Sequence, residues 1–278
     1  MYSIKQLFIY PIKSLGGISV QTATITATGF AYDRKWMLVD AQNNFLSQRT
    51  VPLMAHLQTA ITNESILVYH KFAPQHSIMV PLQAKEGANL QVHIWDDECT
   101  AIHVDSHLDQ WFSEQLQMQC KLVYMPDTTQ RQVDATYALS QNHLTAFSDG
   151  FPLLLIGQES LNELNRRLPN EQATLSMERF RPNLVFEGGQ PFAEDTFAHF
   201  SINQLPFWAV KPCARCSITT LNQSTLAFEK EPLKTLAQFR KLNNKIYFGQ
   251  NILFNGVGTI SVGNSLQVIE SKASIFVA

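Results

Sequence analysis

Apolar positions recur along this chain mostly in short runs and at a period of two, so the elements it predicts are mainly short strands. Residues 18–22 (ISVQT) alternate, and residues 35–40 (KWMLVD) form a short apolar run. The turn cluster Ala41, Gln42, Asn43, Asn44 and then residues 45–47 follow, which predicts a hairpin. Residues 91–95 and 100–104 read as a second strand pair around the acidic turn Asp96, Asp97, Glu98. Ser106 with Asp109 three residues on has the form of a capping box, and it predicts a helix with Leu108, Trp111, Phe112 and Leu116 on its apolar face. A second helix is expected over residues 159–167, ended by Pro169, and a third over 233–242. The last segment spaces Gly249, Gly256, Gly258 and Gly263 between apolar runs, which reads as turn-linked strands.

The polar, proline-containing stretch 125–130 marks the expected boundary, giving domains 1–125 and 126–278. There is no internal repeat. Many short strands with few helices predict a mostly β (α+β) chain built as two β-barrel-like units, not a doubly wound sheet.

At 278 residues, 45% hydrophobic and 16% charged, the chain has an ordinary globular balance and can bury a full core. Its net charge of −2 comes without any basic run, so the electrostatic footprint of a nucleic-acid binder is missing. A small anion needs only a few placed cations and is not excluded. No basic leader precedes a long apolar stretch and no run approaches a membrane span, so a cytoplasmic protein without a membrane partner is expected. The four cysteines, Cys99, Cys120, Cys213 and Cys216, are too few and scattered for a disulfide framework.

Candidate chemistry sits in five segments. Cys213-Ala214-Arg215-Cys216 is open to several readings: two small buried hydrophobes, half a zinc site, or a redox pair. Zinc lacks two further ligands at suitable spacing, and a thioredoxin-like pair should open a helix, whereas the β-branched residues 217–221 follow. Lys211 and Arg215 flank the pair, and nearby cations favour thiolate, a soft ligand for a thiophilic metal. Residues 9–17 end a strand in a loop with Lys13, Ser14 and two glycines, able to bring an ammonium and backbone N–H groups onto a phosphate, though without Walker spacing. Asp33-Arg34 precedes an apolar strand, and an arginine there is a rigid fork for a phosphate or planar heterocycle. Residues 178–184 offer Arg181 and Asn183 as donors and acceptors for a pterin edge. Ser148-Asp149 lies in an Asx-type turn that says nothing more by itself.

Taken in order, these segments resemble the MOSC family. Residues 9–14, 33–40 and 48–52 are similar to its N-terminal β-barrel companion domain; residues 147–149, 179–183, 194–197, 211–220, 231–236 and 258–263 are similar to the MOSC domain itself. The resemblance is strongest to the branch holding the mitochondrial amidoxime-reducing component and bacterial proteins that detoxify N-hydroxylated bases. It implies a molybdenum cofactor (molybdopterin) with Cys216 as the metal ligand. It also implies cofactor contacts from Lys13, Ser14, Arg34, Ser148, Arg181, Asn183 and Arg215, with Asp149 at a matching pocket position; Asp149, as a catalytic candidate, or a metal-bound water would relay protons. Pyridoxal phosphate binding is associated with the family as a whole and attaches to none of these residues. Asn264 stands where the family pattern has an aspartate, which touches only a turn contact.

The expected function is thus a molybdenum-dependent oxidoreductase acting on N-hydroxylated or N-oxide compounds. With no flavin, haem or iron–sulfur signature in the chain, a separate electron donor is expected, a flavin reductase or a ferredoxin-like protein. Two rivals stand beside it: a cofactor carrier or sulfur-transfer module with a persulfide on Cys216, and a non-catalytic binding module.

Overall fold

The computed structural model describes residues 1–84, 86–140, 143–169 and 174–276. As expected, it is mostly strands with a few helices in two β-rich units. Seven strands close a barrel in the order Leu153–Gly157, Leu184–Glu187, Tyr2–Ile9, Ser265–Ser271, Phe197–Ile202, Leu205–Ala214, Lys245–Phe254, and back to the first. Leu153–Gly157 and Leu184–Glu187 run parallel, and a parallel neighbour needs a crossover. The helix Gln158–Arg167 supplies part of it, burying Leu161 and Leu164. The barrel interior is filled by Leu7, Leu155, Phe186, Phe197, Phe200, Phe207 and Ile252.

The strand Tyr2–Ile9 falls by sequence in the first expected domain, yet its two neighbours in the barrel lie in the second. It pairs antiparallel with Leu184–Glu187 on one side and with Ser265–Ser271 on the other. Thr22–Thr26 likewise pairs with Gly258–Ser261. The reason is burial: Leu7 and Ile9 enter the barrel core while Phe8 and Tyr10 enter a second cluster behind it, so neither face of the strand can be left to water.

The remaining N-terminal unit holds a four-stranded sheet, Trp36–Val39, Lys121–Tyr124, Asp97–His103 and Asn89–Ile94, and a three-stranded one, Leu57–Ile61, Ser65–His70 and Ala73–Pro81. Trp36–Val39 is buried at every residue, with Trp36 and Leu38 in one cluster and Met37 and Val39 in another. The hairpin after it forms as expected: Val39 bridges Phe45, and Asp40 accepts the Gln42 and Asn44 N–H groups.

Five local expectations change. The helix Ser106–Leu116 is capped by Asp105, which accepts the His107 N–H; Asp109 turns instead to His103 and the Leu122 N–H. Trp111 is only half-buried on that helix. The tight turn of the second hairpin is Trp95-Asp96, because Ile94 pairs with Asp97. The third helix covers only Leu233–Leu236, since Lys241–Leu242 is drawn into a strand against Lys245–Phe254. Gly249 lies inside that last strand rather than in a turn. Its φ of +84° and the Ile156 side chain 2.7 Å from where a Cβ would stand both require glycine.

Behind the barrel, Asp195 accepts two bonds from Arg240 (2.6 and 3.0 Å) and one from Gln250 (2.8 Å), all buried. Next to it Glu194 accepts from Ser160 Oγ and the Gly157 N–H. Burial, reinforced by the Asp195 charge, pushes the Glu194 carboxyl up from 4.5 to about 7. A carboxyl raised on folding contributes stability that is full below its unfolded value and is lost as pH rises through its folded value. Urea unfolding should therefore show wild-type stability falling by roughly 3 kcal/mol between about pH 4.5 and 7.5 from this group, and Glu194→Gln should flatten that fall. A Gln variant with the wild-type slope would refute the assignment.

Candidate functional site

One cleft at the junction of the two units is lined by Lys13, Ser14, Arg34, Ser148, Asp149, Arg181, Asn183, Arg215 and Cys216. It encloses about 840 Å³, part of it open solvent, within the range of small-molecule sites. Every site residue expected from the sequence is in it.

The loops are tied together through the backbone. Lys13 N–H donates to Trp36 O, Arg34 N–H to Tyr10 O, and Phe147 N–H to Arg34 O. Ser14, Arg34 and Arg181 all hold positive φ (68°, 51° and 55°), a region costly for residues with a Cβ. Such strain concentrates at binding sites, and here the surrounding loops enforce it.

Two guanidiniums flank one buried phenol. The Cζ atoms of Arg34 and Arg181 lie 4.6 and 4.2 Å from the Tyr10 ring centre. Arg34 donates to Asp33 (2.6 Å), Asn183 Oδ1 (3.1 Å) and Arg181 O (3.2 Å). Arg181 donates to Leu15 O at 2.7 Å. Burial, and Arg34 beside it, lower Arg181 to about 10, so it stays charged at neutral pH. Burial likewise keeps the Tyr10 phenol protonated far above neutrality. Asn183 is engaged on Arg34, the Leu154 N–H and Phe8 O, so it holds Arg34 in place.

Lys13 is buried and donates to Phe147 O (2.8 Å) and Asp149 Oδ1 (2.6 Å). Burial lowers its pKa, and Asp149 opposes that fall. Crowding penalises the Asp149 charge, yet Lys13, the Trp95 indole N–H and Arg49 together hold its carboxyl well below the usual range. Asp149 is the counter-ion of Lys13 in this cleft. Arg131, which sequence reasoning missed, is buried beneath the loop and donates to Ala146 O, Ser148 O and Asp149 O while pairing with Asp97.

The two cysteines of the C-x-x-C segment differ. Arg215 Nη1 donates to Cys213 Sγ at 3.1 Å, and its Nη2 to Phe180 O at 2.7 Å. Cys216 is exposed, with a free thiol, and its carbonyl accepts the Thr219 N–H and hydroxyl of the following turn. Arg179 fastens that turn by donating to Thr219 O and Thr220 O. Lys211 does not face the thiols; its ammonium sits 4.2 Å over the Tyr137 ring. Burial raises Cys99 and Cys120 to about 11, which leaves them inert. Among the described residues no three His, Cys, Asp or Glu side chains form a metal-ligating group.

The cleft has chemistry left over. Arg181 Nη2, Arg215 Nε and Ser148 Oγ are buried without a hydrogen-bond partner among the described residues. Each such group costs about 1–3 kcal/mol when left unpaired. Two cationic donors and a hydroxyl beside a free thiol fit an anionic heterocyclic ligand carrying a soft metal.

Comparison with known proteins agrees in coverage. The MOSC N-terminal beta barrel domain matches residues 1–119, and the MOSC domain matches residues 142–267. The chain is 32% identical over 269 residues to a protein named molybdenum cofactor sulfurase from Oryza sativa subsp. japonica, covering 91% of this chain and 32% of that one. It thus spans about a third of that relative's length. It is 30% identical over 285 residues to mitochondrial amidoxime-reducing component 1 of Mus musculus, covering 96% of this chain and 82% of that one. The human component 1 is 27% identical, with 96% and 83% covered. Among the described residues no helix is long and apolar enough to cross a membrane. By sequence match along most of its length, the chain belongs to the MOSC family, an N-terminal MOSC β-barrel domain followed by a MOSC domain.

Proposed function

We propose that the cleft holds a molybdenum cofactor and that the loaded protein reduces N-hydroxylated or N-oxide compounds. Convergence carries this reading: cations and a free thiol from loops up to about 200 residues apart line one cleft, with buried donors still unpaired. The names of the rice and mouse relatives point to the same cofactor and to the same substrate class.

Cys216 would be the protein ligand to the metal. Lys13, Ser14, Arg34, Ser148, Arg181 and Arg215 would hold the pterin and its phosphate, and Asn183 and Asp149 would act through Arg34 and Lys13. The bound cofactor supplies two-electron reduction of the N–O bond, with the oxygen leaving as water. The protein's part is electrostatic: buried cations neutralise the ligand's charge, and the Tyr10 ring keeps two of them in fixed register. Electrons would come from a separate donor, a flavin reductase or a ferredoxin-like protein.

Metal and sulfur analysis of protein freshly purified from a cofactor-competent strain tests the proposal. About one molybdenum per chain is expected for the enzyme. Labile sulfane sulfur on Cys216 without metal would favour a sulfur carrier, and neither would favour a binding module.

A further inference from the structure

Arg49 lines the cleft, and among the described residues no hydrogen bond or ion pair engages its guanidinium. Aromatic faces hold it instead. Its Cζ lies 4.2 Å from the Trp95 ring centre and 5.9 Å from Phe45, and those rings are 5.1 Å apart. Trp95 is 49% exposed, yet it is anchored: its indole N–H donates to Asp149 Oδ1 at 3.3 Å. It stands in a two-residue hairpin turn with φ +57°, a conformation such turns ordinarily give to asparagine or glycine. A bulky residue is strained there, and the contacts with Arg49, Phe45 and Asp149 hold it in place. The preceding residue, Gln48, is buried and donates to Ser14 O at 2.6 Å, which ties the Arg49 backbone to the Lys13-Ser14 loop.

A guanidinium stacked on an indole keeps its N–H fork free and has little conformational freedom left to lose on binding. Around it the cleft offers the hydroxyl residues Ser14, Ser47 and Ser148, the last with its buried Oγ unpartnered, and the Lys13 ammonium. A free fork and hydroxyls, beside an ammonium that already balances the Asp149 carboxylate, form a donor set for a tetrahedral anion.

We propose that Arg49 binds a phosphate group at the Lys13–Ser148 end of the cleft and that Trp95 is its positioning residue. The identity of the phosphate, the phosphomonoester of the cofactor, rests on the molybdenum reading; the anion site itself does not.

The test uses full-length protein made without cofactor, titrated with inorganic phosphate and pyrophosphate by calorimetry and tryptophan emission. Saturable binding is expected, with Arg49→Ala weakening it about tenfold or more and Arg49→Lys recovering part of the loss. Trp95→Ala should weaken binding comparably. Trp95→Phe, which keeps an aromatic face, should bind nearly as wild type while the emission change disappears. Unfolding midpoints of the variants, matched to wild type, separate a lost contact from a lost fold. The same variants made in cofactor-competent cells should retain less molybdenum per chain after gel filtration. Phosphate affinity unchanged in Arg49→Ala, or no saturable phosphate binding by wild type, would overturn the proposal. Wild type that binds phosphate through Arg49 but never carries molybdenum would sustain the anion site and sink the cofactor reading.

Discussion

Replacing Cys216 by serine is expected to remove molybdenum and reductase activity together, by more than the 10- to 100-fold typical of partners outside the metal's own ligand shell. A hydroxyl is a hard, weakly acidic substitute for a soft thiolate. Cys213→Ser should keep most of both, because Cys213 Sγ is an acceptor for Arg215 rather than a free ligand. The two cysteines sit three residues apart, yet only Cys216 is exposed, beyond the end of the strand Leu205–Ala214. Metal content and amidoxime reduction by reduced viologen read the two effects separately. Equal and complete loss in both variants would point to a dithiol pair and away from a single metal ligand.

The second large effect concerns the electron source. Loaded protein is expected to turn over with reduced viologen yet to show less than about 1% of that rate with NADH or NADPH alone. The seven-stranded barrel has a single parallel strand pair and no glycine-rich G-x-G-x-x-G turn, so it lacks the crevice in which doubly wound sheets bind dinucleotides. Cys99 and Cys120 are buried in the N-terminal unit, while Cys213 and Cys216 line the cleft, so the four cannot ligate one iron–sulfur cluster. Adding a flavin reductase, with or without a ferredoxin-like carrier, should restore pyridine-nucleotide turnover. Robust NADH-driven reduction by the pure, flavin-free chain would falsify this electron route.

What could be read from the sequence was local chemistry. Lys13, Arg34, Arg181 and Cys216 each stand beside a strand end in a segment whose residue types announce a loop, and those loops do meet. Arg131 was invisible because its meaning depends on carbonyls 15 to 18 residues away and on Asp97, 34 residues back. Asn183 and Asp149 were legible as polar cleft residues. Their partners, Arg34 at 149 and Lys13 at 136 residues' separation, were not. The Trp95-Asp96 turn was misplaced for a related reason: a tryptophan in a left-handed turn contradicts local preference and is held by contacts from other segments. Tyr10 drew no reading of its own from the sequence, because only the fold sets an arginine from each of two segments against its ring.

The placement of Tyr2–Ile9 between Leu184–Glu187 and Ser265–Ser271 also sets a timetable for synthesis. Made before the other barrel strands, Tyr2–Ile9 has only the short strand Ile18–Val20 as an early partner. Its long neighbours emerge after most of the chain, roughly 10–50 s later at ordinary elongation rates of about 5–20 residues per second. Until then Leu7, Phe8 and Ile9 are a sticky edge that a holding chaperone is suited to cover. The Lys13 and Arg34 loops are made early, the Cys216 loop late, and Ser265–Ser271, the last strand of the barrel, later still. Insertion of any group between these loops is accordingly a step that follows completion of the barrel.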